Sequence, residues 1–178
     1  MEIRKITDPH DDALDMLSET AATIWRQHFA SLLSGEQIEY MLEKFQSKDA
    51  MTRQLAAEGY VYYLALSDGN PAGYTGIVPR PAEHTLFLSK LYIRQEYRRR
   101  GLSKQLIRRF LADYSDPVYQ KICLTCNKYN KGSLDAYARM GFAVTGETVA
   151  PIGRGMVMDD YLLELPLGSQ GWLREELG

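Results

Sequence analysis

Arginines cluster directly before a single glycine in the stretch LFLSKLYIRQEYRRRGLSKQLIRR, from Leu86 to Arg109. Leu86–Ile93 predicts a buried strand, and apolar spacing predicts an amphipathic helix from about Leu102. The first N–H groups of a helix have no partners and lie at its partly positive end, so a phosphate fits there. Gly101 has no Cβ, which lets a ligand approach the backbone. The stretch therefore predicts a site for a multiply charged anion such as a pyrophosphate.

The positive charge of this stretch is focal. Seven of the 21 Lys and Arg residues lie between Arg94 and Arg109, against one acid, Glu96, so the segment carries about +6 in a chain of net charge −2. Read alone, Arg98–Arg100 also fits a solvated basic surface. With a pI near 5.9 the chain offers no broad basic face, which argues against a nucleic-acid binder and favours a small polyanion.

The remaining pattern predicts the elements that position this stretch. At 178 residues, 45% hydrophobic and 25% charged, the chain fits one globular domain, residues 1–166, followed by a polar tail, residues 167–178. Along the chain, the predicted elements are a strand, three helices, a hairpin followed by a strand, a helix, a strand, a helix and two strands. It predicts an α/β sheet of about seven strands, part antiparallel and part parallel, with helices on both faces. The predicted strands are 2–6, 60–67, 71–78, 84–93, 118–125, 143–149 and 155–166, and the first helices run over 12–33, from Ser34, and from a cap at Asp49.

Location and redox state follow from what the sequence lacks. No run of 18 or more apolar residues occurs and the first residues, MEIRKITDPHDD, have no apolar leader core, so we expect a cytoplasmic protein without a membrane partner. Cys123 and Cys126 are three apart on a predicted strand, which places them on opposite faces. They are therefore expected to be reduced thiols rather than a redox or metal pair.

Two patterns together resemble the GNAT (Gcn5-related N-acetyltransferase) family. Arg98, Gly101 and Ser103 fit the spacing Arg/Gln-x-x-Gly-x-Gly/Ala, with Ser103 where the family prefers Gly or Ala. A second set, after the next strand, fits Asn-x-x-Ala-x-x-x-Tyr-x-x-x-Gly-Phe, with Ser in place of Ala: Asn130, Ser133, Tyr137, Gly141 and Phe142. The resemblance covers about Tyr60 to Leu165. More loosely, the ends of the chain resemble bacterial small-molecule and polyamine acetyltransferases.

The resemblance implies a fold, a cofactor and a set of site residues. The fold would be a mixed, mostly antiparallel sheet of about seven strands with a central V-shaped splay, the cofactor acetyl-CoA, and no metal is expected. The reaction would be direct attack of a small-molecule primary amine, a polyamine being one candidate, on the thioester. The main chain of Leu91, Tyr92 and Ile93 would bind the pantetheine arm, and a strand N–H near Tyr92 or Ile93 would hold the oxyanion. The pyrophosphate would lie on the amides of Arg98, Arg99, Arg100, Gly101, Leu102, Ser103 and Lys104.

The same resemblance assigns roles after the fifth strand. Asn130 and Ser133 would contact the pantetheine or adenosine side of the cofactor. Tyr137 would point its hydroxyl at the thioester sulfur and act as the acid for the departing thiolate, because a phenol can donate and is rarely ionised at neutral pH. Alone, Tyr137 also fits a buried helix tyrosine.

The general base is left open by the sequence. Related enzymes often carry a carboxylate on the fourth strand, and this chain has none near Ser89 or Lys90. A water-mediated route stays open, as do side chains elsewhere: His28, Glu39, Glu43, Glu83 and His84.

Other readings also stay open. A non-catalytic CoA-binding module is the alternative to an enzyme. Four residues of the first helices either line an acceptor pocket or pack the core: Trp25, His28, Phe29 and Tyr40. Exposed strand ends and Trp172 are compatible with a homodimer as well as with a monomer.

Overall fold

The computed structural model describes residues 1–168 and 171–173. These residues form two compact units, the first from residues 1–79 and 89–115 and the second from residues 80–88 and the chain from 116 onward. The strands are β1 Glu2–Ile6, β2 Val61–Ser67, β3 Asn70–Arg80, β4 Thr85–Ile93, β5 Lys121–Asn127, β6 Ala143–Gly153 and β7 Met156–Pro166. The helices are α1 Leu14–His28, α2 Gly35–Met41, α3 Lys48–Ala57, α4 Leu102–Asp113 and α5 Lys131–Met140.

The sheet confirms the predicted fold class. Its seven strands are ordered β1-β2-β3-β4-β5-β7-β6, and β4 contributes residues to both units. Four pairs of neighbouring strands are antiparallel: β1–β2, β2–β3, β5–β7 and β6–β7. β4 and β5 are parallel over three pairs, Thr85–Phe87 with Lys121–Cys123. The V-shaped splay beyond this short ladder stays a prediction.

In the first unit, helices cover both faces of the sheet. Tyr62 belongs to the core cluster that α1 and α3 build against β2 and β3. Tyr63, which points to the other face because side chains alternate along a strand, packs against Phe110 of α4 and donates a hydrogen bond to Asp113 at 2.7 Å. β2 is thus held between α1 and α3 on one face and α4 on the other.

Of three predicted helix boundaries, two differ from the structure. The first helix ends at His28 rather than Leu33, since Leu33 N–H already bonds Phe29 O in an isolated turn. Ser34 caps α2 as predicted, by accepting from the Gln37 N–H. The prediction that Asp49 caps the third helix is wrong, because Ser47 is extended and accepts from the Ala50 N–H at 3.1 Å.

Between α2 and α3 lies a π-helical turn, Leu42–Gln46, that the sequence pattern did not predict. Such turns leave main-chain carbonyls without their usual partner in the helix and occur often at functional sites. Here the Phe45 carbonyl accepts from two side chains, Lys90 and Gln54.

In the second unit, β5 begins at Lys121 instead of Val118. Asp116 forms a turn in which its carboxylate accepts from the Val118 N–H and its carbonyl from the Tyr119 N–H, so the chain is not yet extended. Trp172 donates its indole N–H to Met140 O at 2.7 Å. The division into a domain, 1–166, and a tail, 167–178, stays a prediction, and residues 169, 170 and 174–178 of that tail lie outside the described residues.

Candidate functional site

The loop between β4 and α4 is built on a folded-back arginine. Arg94 N–H donates to Ala72 O at 2.9 Å, which ties the end of β4 to β3, and a single 3-10 turn, Gln95–Tyr97, follows. Arg98 then turns its guanidinium back and donates from Nε to Ile93 O at 3.1 Å. The side chain of Arg98 therefore shapes the loop, and the residue as a whole is exposed.

Two residues with a left-handed backbone conformation stand directly before α4. Arg99 has φ 61° and Gly101 has φ 74°, the conformation that glycine adopts without strain. Among the described residues, no side chain caps the start of α4, where helix N–H groups lack partners within the helix itself. In the same part of the chain, a Cβ on Gly101 would meet no atom within 4 Å, so the backbone can be approached at this residue. This geometry suits a phosphate group.

The other residues predicted for the pyrophosphate lie in the same loop. Arg98, Arg99 and Arg100 are exposed, and Arg100 stacks on the Tyr97 ring at 5.6 Å. Ser103 and Lys104 are half-buried in the first turn of α4. Leu102 is buried in the core, so only its main chain could contact a ligand.

The end of β4 is pressed against a glycine that sequence reasoning missed. A Cβ on Gly73 would lie 2.7 Å from Tyr92 O and 3.1 Å from Ile93 Cα, so no other residue fits without a shift of the strand. Leu91 and Tyr92 are half-buried and Ile93 is buried. The three residues predicted for the pantetheine arm thus sit on a backbone that β3 holds closely.

The aromatic residues of α1 belong to the core next to this strand. Trp25 and Phe29 are buried, 4.4 Å apart between ring centroids, and Trp25 packs on Tyr92 at 5.6 Å. His28 is half-buried, with Nδ1 3.5 Å from Arg98 Nη2. The Tyr40 ring has the Lys44 ammonium over its face, 5.7 Å from the ring centroid. Trp25 and Phe29 therefore pack the core, and they support Tyr92 from one side.

A buried lysine stands on β4, in the part of the strand where a carboxylate was expected. Lys90 is 4% exposed and its Nζ lies 2.6 Å from Phe45 O, 2.8 Å from Gln54 Oε1 and 2.5 Å from Tyr62 Oη. None of these partners carries a charge, and burial holds the pKa of Lys90 well below its usual value. The only sequence signal for this network was a lysine inside an otherwise buried strand.

In the second unit, the predicted asparagine turns out to cap a helix. Asn130 is buried, and its side-chain oxygen accepts from the Ser133 N–H at 3.4 Å at the start of α5. Gly141 closes the helix with φ 102°, as its position predicted. Ser133 is half-buried in the first turn. Asn130 thus fixes the direction of the helix that carries Tyr137.

Tyr137 lies between α5 and the strands of the second unit. Its ring packs edge-on against Phe142, with 5.4 Å between centroids, and part of the side chain reaches solvent. The phenol end is enclosed by protein, and this burial, with a smaller effect from Cys126, raises the pKa of Tyr137 above its usual value. The hydroxyl is therefore protonated at neutral pH.

The two cysteines are free thiols, as predicted. Cys126 is buried and Cys123 half-buried, on alternate sides of β5. Burial raises the pKa of Cys126 to about 12, and Asp160 adds to this effect, so the thiol stays protonated.

A buried carboxyl group on β7 is a further residue that sequence reasoning missed. Asp160 is 6% exposed, and among the described residues its Oδ1 has no hydrogen-bond partner. Burial and the neighbouring Asp159 raise the pKa of Asp160, whereas Thr125 and Lys128 lower it. The sequence placed Asp160 within the predicted last strand, 155–166, and indicated no role for it.

The described part of the chain contains neither a cluster of metal-binding side chains nor a helix that could span a membrane. Residues 1–168 and 171–173 contain no group of three or more His, Cys, Asp or Glu side chains that could hold a metal ion. Within the same ranges, none of the helices has the length and apolar character needed to cross a bilayer.

Comparisons with known proteins point to one family. Residues 29–157 match the family model for the "Acetyltransferase (GNAT) domain", well over half of the 178 residues. Human N-acetyltransferase 8 is 28% identical over 104 residues, 56% of this chain and 46% of the human protein, so the match spans about half of that relative. An uncharacterized N-acetyltransferase of Lactobacillus delbrueckii subsp. lactis, from the region 3′ of pepI, is 27% identical over 142 residues, 75% of this chain and 80% of that protein.

A solved structure shares the fold. PaiA N-acetyltransferase from Thermoplasma acidophilum, crystallised in complex with coenzyme A, matches 93% of this chain and 99% of its own with a TM-score of 0.73. Its sequence is 19% identical, so the likeness concerns the fold.

Proposed function

The chain belongs to the GNAT acetyltransferase family, whose usual cosubstrate is acetyl-CoA, and on this basis we propose that it transfers the acetyl group to a primary amine of a small molecule. The amine would attack the thioester carbonyl directly, without an acyl-enzyme. Polyamines are one acceptor class within this proposal.

The observation that carries the proposal is the uncapped start of α4 behind Arg99 and Gly101. The backbone of both residues is in the left-handed conformation. Among the described residues, no side chain caps the helix, and the three arginines that precede it are exposed. N–H groups at a helix start combine with positive charge to bind a pyrophosphate. We assign the pyrophosphate of CoA to the main-chain amides from Arg98 to Lys104.

The pantetheine arm is assigned to the main chain at the end of β4. Leu91, Tyr92 and Ile93 lie on a strand that Gly73 and Arg94 hold against β3. Such a rigid backbone can pair with an extended ligand as another strand would. A main-chain N–H near Tyr92 or Ile93 is the donor proposed for the oxyanion.

Tyr137 is assigned to the departing thiolate. Its phenol is protonated at neutral pH because burial raises its pKa, and a protonated hydroxyl can give a proton to sulfur. Asn130 positions Tyr137 through the cap of α5, and Asn130 and Ser133 are both assigned to the pantetheine or adenosine side of the cofactor.

Binding and turnover test the proposal separately. Acetyl-CoA should raise the Tm of the protein, and free thiol should appear with at least one amine in a panel of polyamines, amino acids, aminoglycosides and peptide N-termini. Arg99→Glu should weaken CoA binding more than tenfold by placing an acid beside the pyrophosphate, whereas Arg139→Glu, an exposed arginine on α5, is the matched control. CoA binding without thiol release across the panel would instead support the non-catalytic module.

A further inference from the structure

Asp160 is a carboxyl group without an evident structural task. It is 6% exposed, and burying a charged group is costly unless it is paired. Among the described residues its Oδ1 has no hydrogen-bond partner, and Lys128, which lowers its pKa, forms ion pairs with Glu147 and Asp159 at 2.9 and 2.8 Å. A buried polar atom without a partner calls for an explanation, and a role in catalysis is one.

Thr125 connects this carboxyl group to the surface. Asn127 of β5 is directly opposite Asp160 of β7, so Thr125, two residues earlier on β5, lies on the same face of the sheet. Across the antiparallel pair of β5 and β7, Thr125 and Asp160 are diagonal neighbours on this face, Thr125 lowers the pKa of Asp160, and Thr125 itself is exposed. An exposed hydroxyl beside a buried carboxyl group offers a path along which a proton can leave a bound substrate.

Thr125 precedes Cys126, the residue of β5 that interacts with Tyr137. The ladder between β5 and β4 ends at Cys123, so Thr125 and Cys126 lie beyond it, on opposite faces of β5. Tyr137 and Asp160 each interact with the Cys126 thiol. A thioester along this part of β5 would therefore have the Tyr137 phenol on one side and the Thr125 hydroxyl on the other.

We propose that Thr125 and Asp160 together accept the proton of the acceptor amine, an inference that rests on the acetyltransferase function proposed above. The ammonium gives one proton to Thr125 Oγ1 while the hydroxyl proton passes to the Asp160 carboxylate, which leaves a neutral amine. The amine nitrogen bonds the acetyl carbon, the C–S bond breaks and the thiolate takes the Tyr137 proton. The new amide nitrogen sheds its second proton to the Tyr137 phenolate, and Asp160 returns its proton to solvent.

The charges around Asp160 fit a proton acceptor. Burial, the largest effect, and Asp159 raise its pKa, whereas Thr125 and Lys128 lower it. The thiol of Cys126, on the other face of β5, has a raised pKa and stays neutral, so it adds no negative charge. An acid whose pKa is raised toward neutrality is a better base than an ordinary carboxylate.

The test compares Asp160→Asn with Asp159→Asn, a charge-matched change at the next residue. Asp160→Asn should lower kcat/KM about 100-fold at pH 7, in the range of general base catalysis, and should abolish the fall in kcat/KM at low pH. Asp159→Asn should stay within about twofold of wild type. Thr125→Val should resemble Asp160→Asn, Thr125→Ser should retain activity, and CoA affinity should be unchanged in all variants.

The outcomes separate this inference from the proposed function. If wild type transfers acetyl groups and Asp160→Asn does so within threefold and with the wild-type pH profile, the inference is overturned while the function stands. Parallel losses of Tm, CoA affinity and turnover in Asp160→Asn, without recovery in Asp160→Glu, would also overturn it in favour of a structural role. No transfer by wild type with any amine would overturn both. Recovery of Asp160→Asn activity by added acetate or imidazole would support the inference.

Discussion

Arg98 binds the strand that precedes its own loop: Nε donates to the carbonyl of Ile93 at 3.1 Å. The contact joins the residue predicted to open the pyrophosphate loop to the last residue predicted to hold the pantetheine arm. Loop and strand are therefore positioned by one side chain, and its loss should affect cofactor binding before it affects stability.

Arg98→Lys tests this relationship. Lysine keeps the charge but cannot place a donor at the Nε position, so the loop should loosen and CoA should bind about tenfold more weakly, the equivalent of about 1.4 kcal/mol. Isothermal titration with CoA measures the change, with Arg139→Lys as the control. Unchanged CoA affinity in Arg98→Lys would mean that the loop is positioned by other contacts.

Gly73→Ala tests the close approach of β3 and β4. The new Cβ would lie 2.7 Å from Tyr92 O, so we expect a loss of about 1–3 kcal/mol in the free energy of unfolding and weaker CoA binding. Gly35→Ala, which meets no atom within 4 Å at the start of α2, should be neutral or stabilising. Urea unfolding measures both, and equal stability of the two variants would contradict the steric argument.

Tyr137→Phe tests the acid. Removal of the phenol should lower kcat about 100-fold and leave CoA affinity within about twofold, because the ring still packs on Phe142. Tyr129→Phe, at a tyrosine 73% exposed, is the control. Losses of equal size in turnover and in CoA affinity would argue that Tyr137 is structural.

Replacement of Asn130 should lower the stability of the protein, because its side chain caps α5. Asn130→Ala should cost about 1 kcal/mol of stability, and Asn130→Asp or Asn130→Ser should restore it, since both can accept from the Ser133 N–H. Thermal unfolding and CoA titration of the three variants separate the roles. If the capping variants recover stability and not CoA affinity, then Asn130 also contacts the cofactor.

Lys90 should make stability depend on pH. The pKa of Lys90 is lowered by burial in the folded state and is about 10.4 in the unfolded chain. Between these two pKa values the unfolded state binds more protons, so the free energy of unfolding should rise with pH up to about 10.4. Below the folded pKa both states are protonated, and the penalty for burying the charge is present in full.

Lys90→Met should remove this pH dependence, whereas Lys131→Met, at an exposed lysine, should keep it. Urea midpoints measured from neutral to alkaline pH give the two slopes. A slope in Lys90→Met equal to that of wild type would show that other groups cause it.

The sequence predicted what depends on local pattern. The strand before Arg94, the helix after Gly101 and the closure of α5 by Gly141 follow from apolar spacing and from glycine's left-handed conformation, and all are present. A predicted helix boundary was wrong where a second side chain competed for the cap. Ser47 caps α3 instead of Asp49, and no local signal ranks two capping residues that lie only two positions apart.

Residues whose role comes from distant contacts could not be predicted. Lys90 gains its environment from Phe45 and Gln54, 45 and 36 residues away in sequence. Gly73 matters because Tyr92 comes close to it, and Asp160 because strand pairing buries it. Sequence spacing shows which residues share a face, but it does not show which face another strand or helix will cover.

The positions of the two tryptophans provide an optical assay. The chain has only Trp25 and Trp172, and these belong to different compact units. Trp25 is 4% exposed among aromatic rings, whereas the indole N–H of Trp172 bonds Met140 O and its ring is half-buried. Single replacements by Phe would leave one emitter in each protein, and its spectral shift during denaturation would report whether the units unfold together or in sequence.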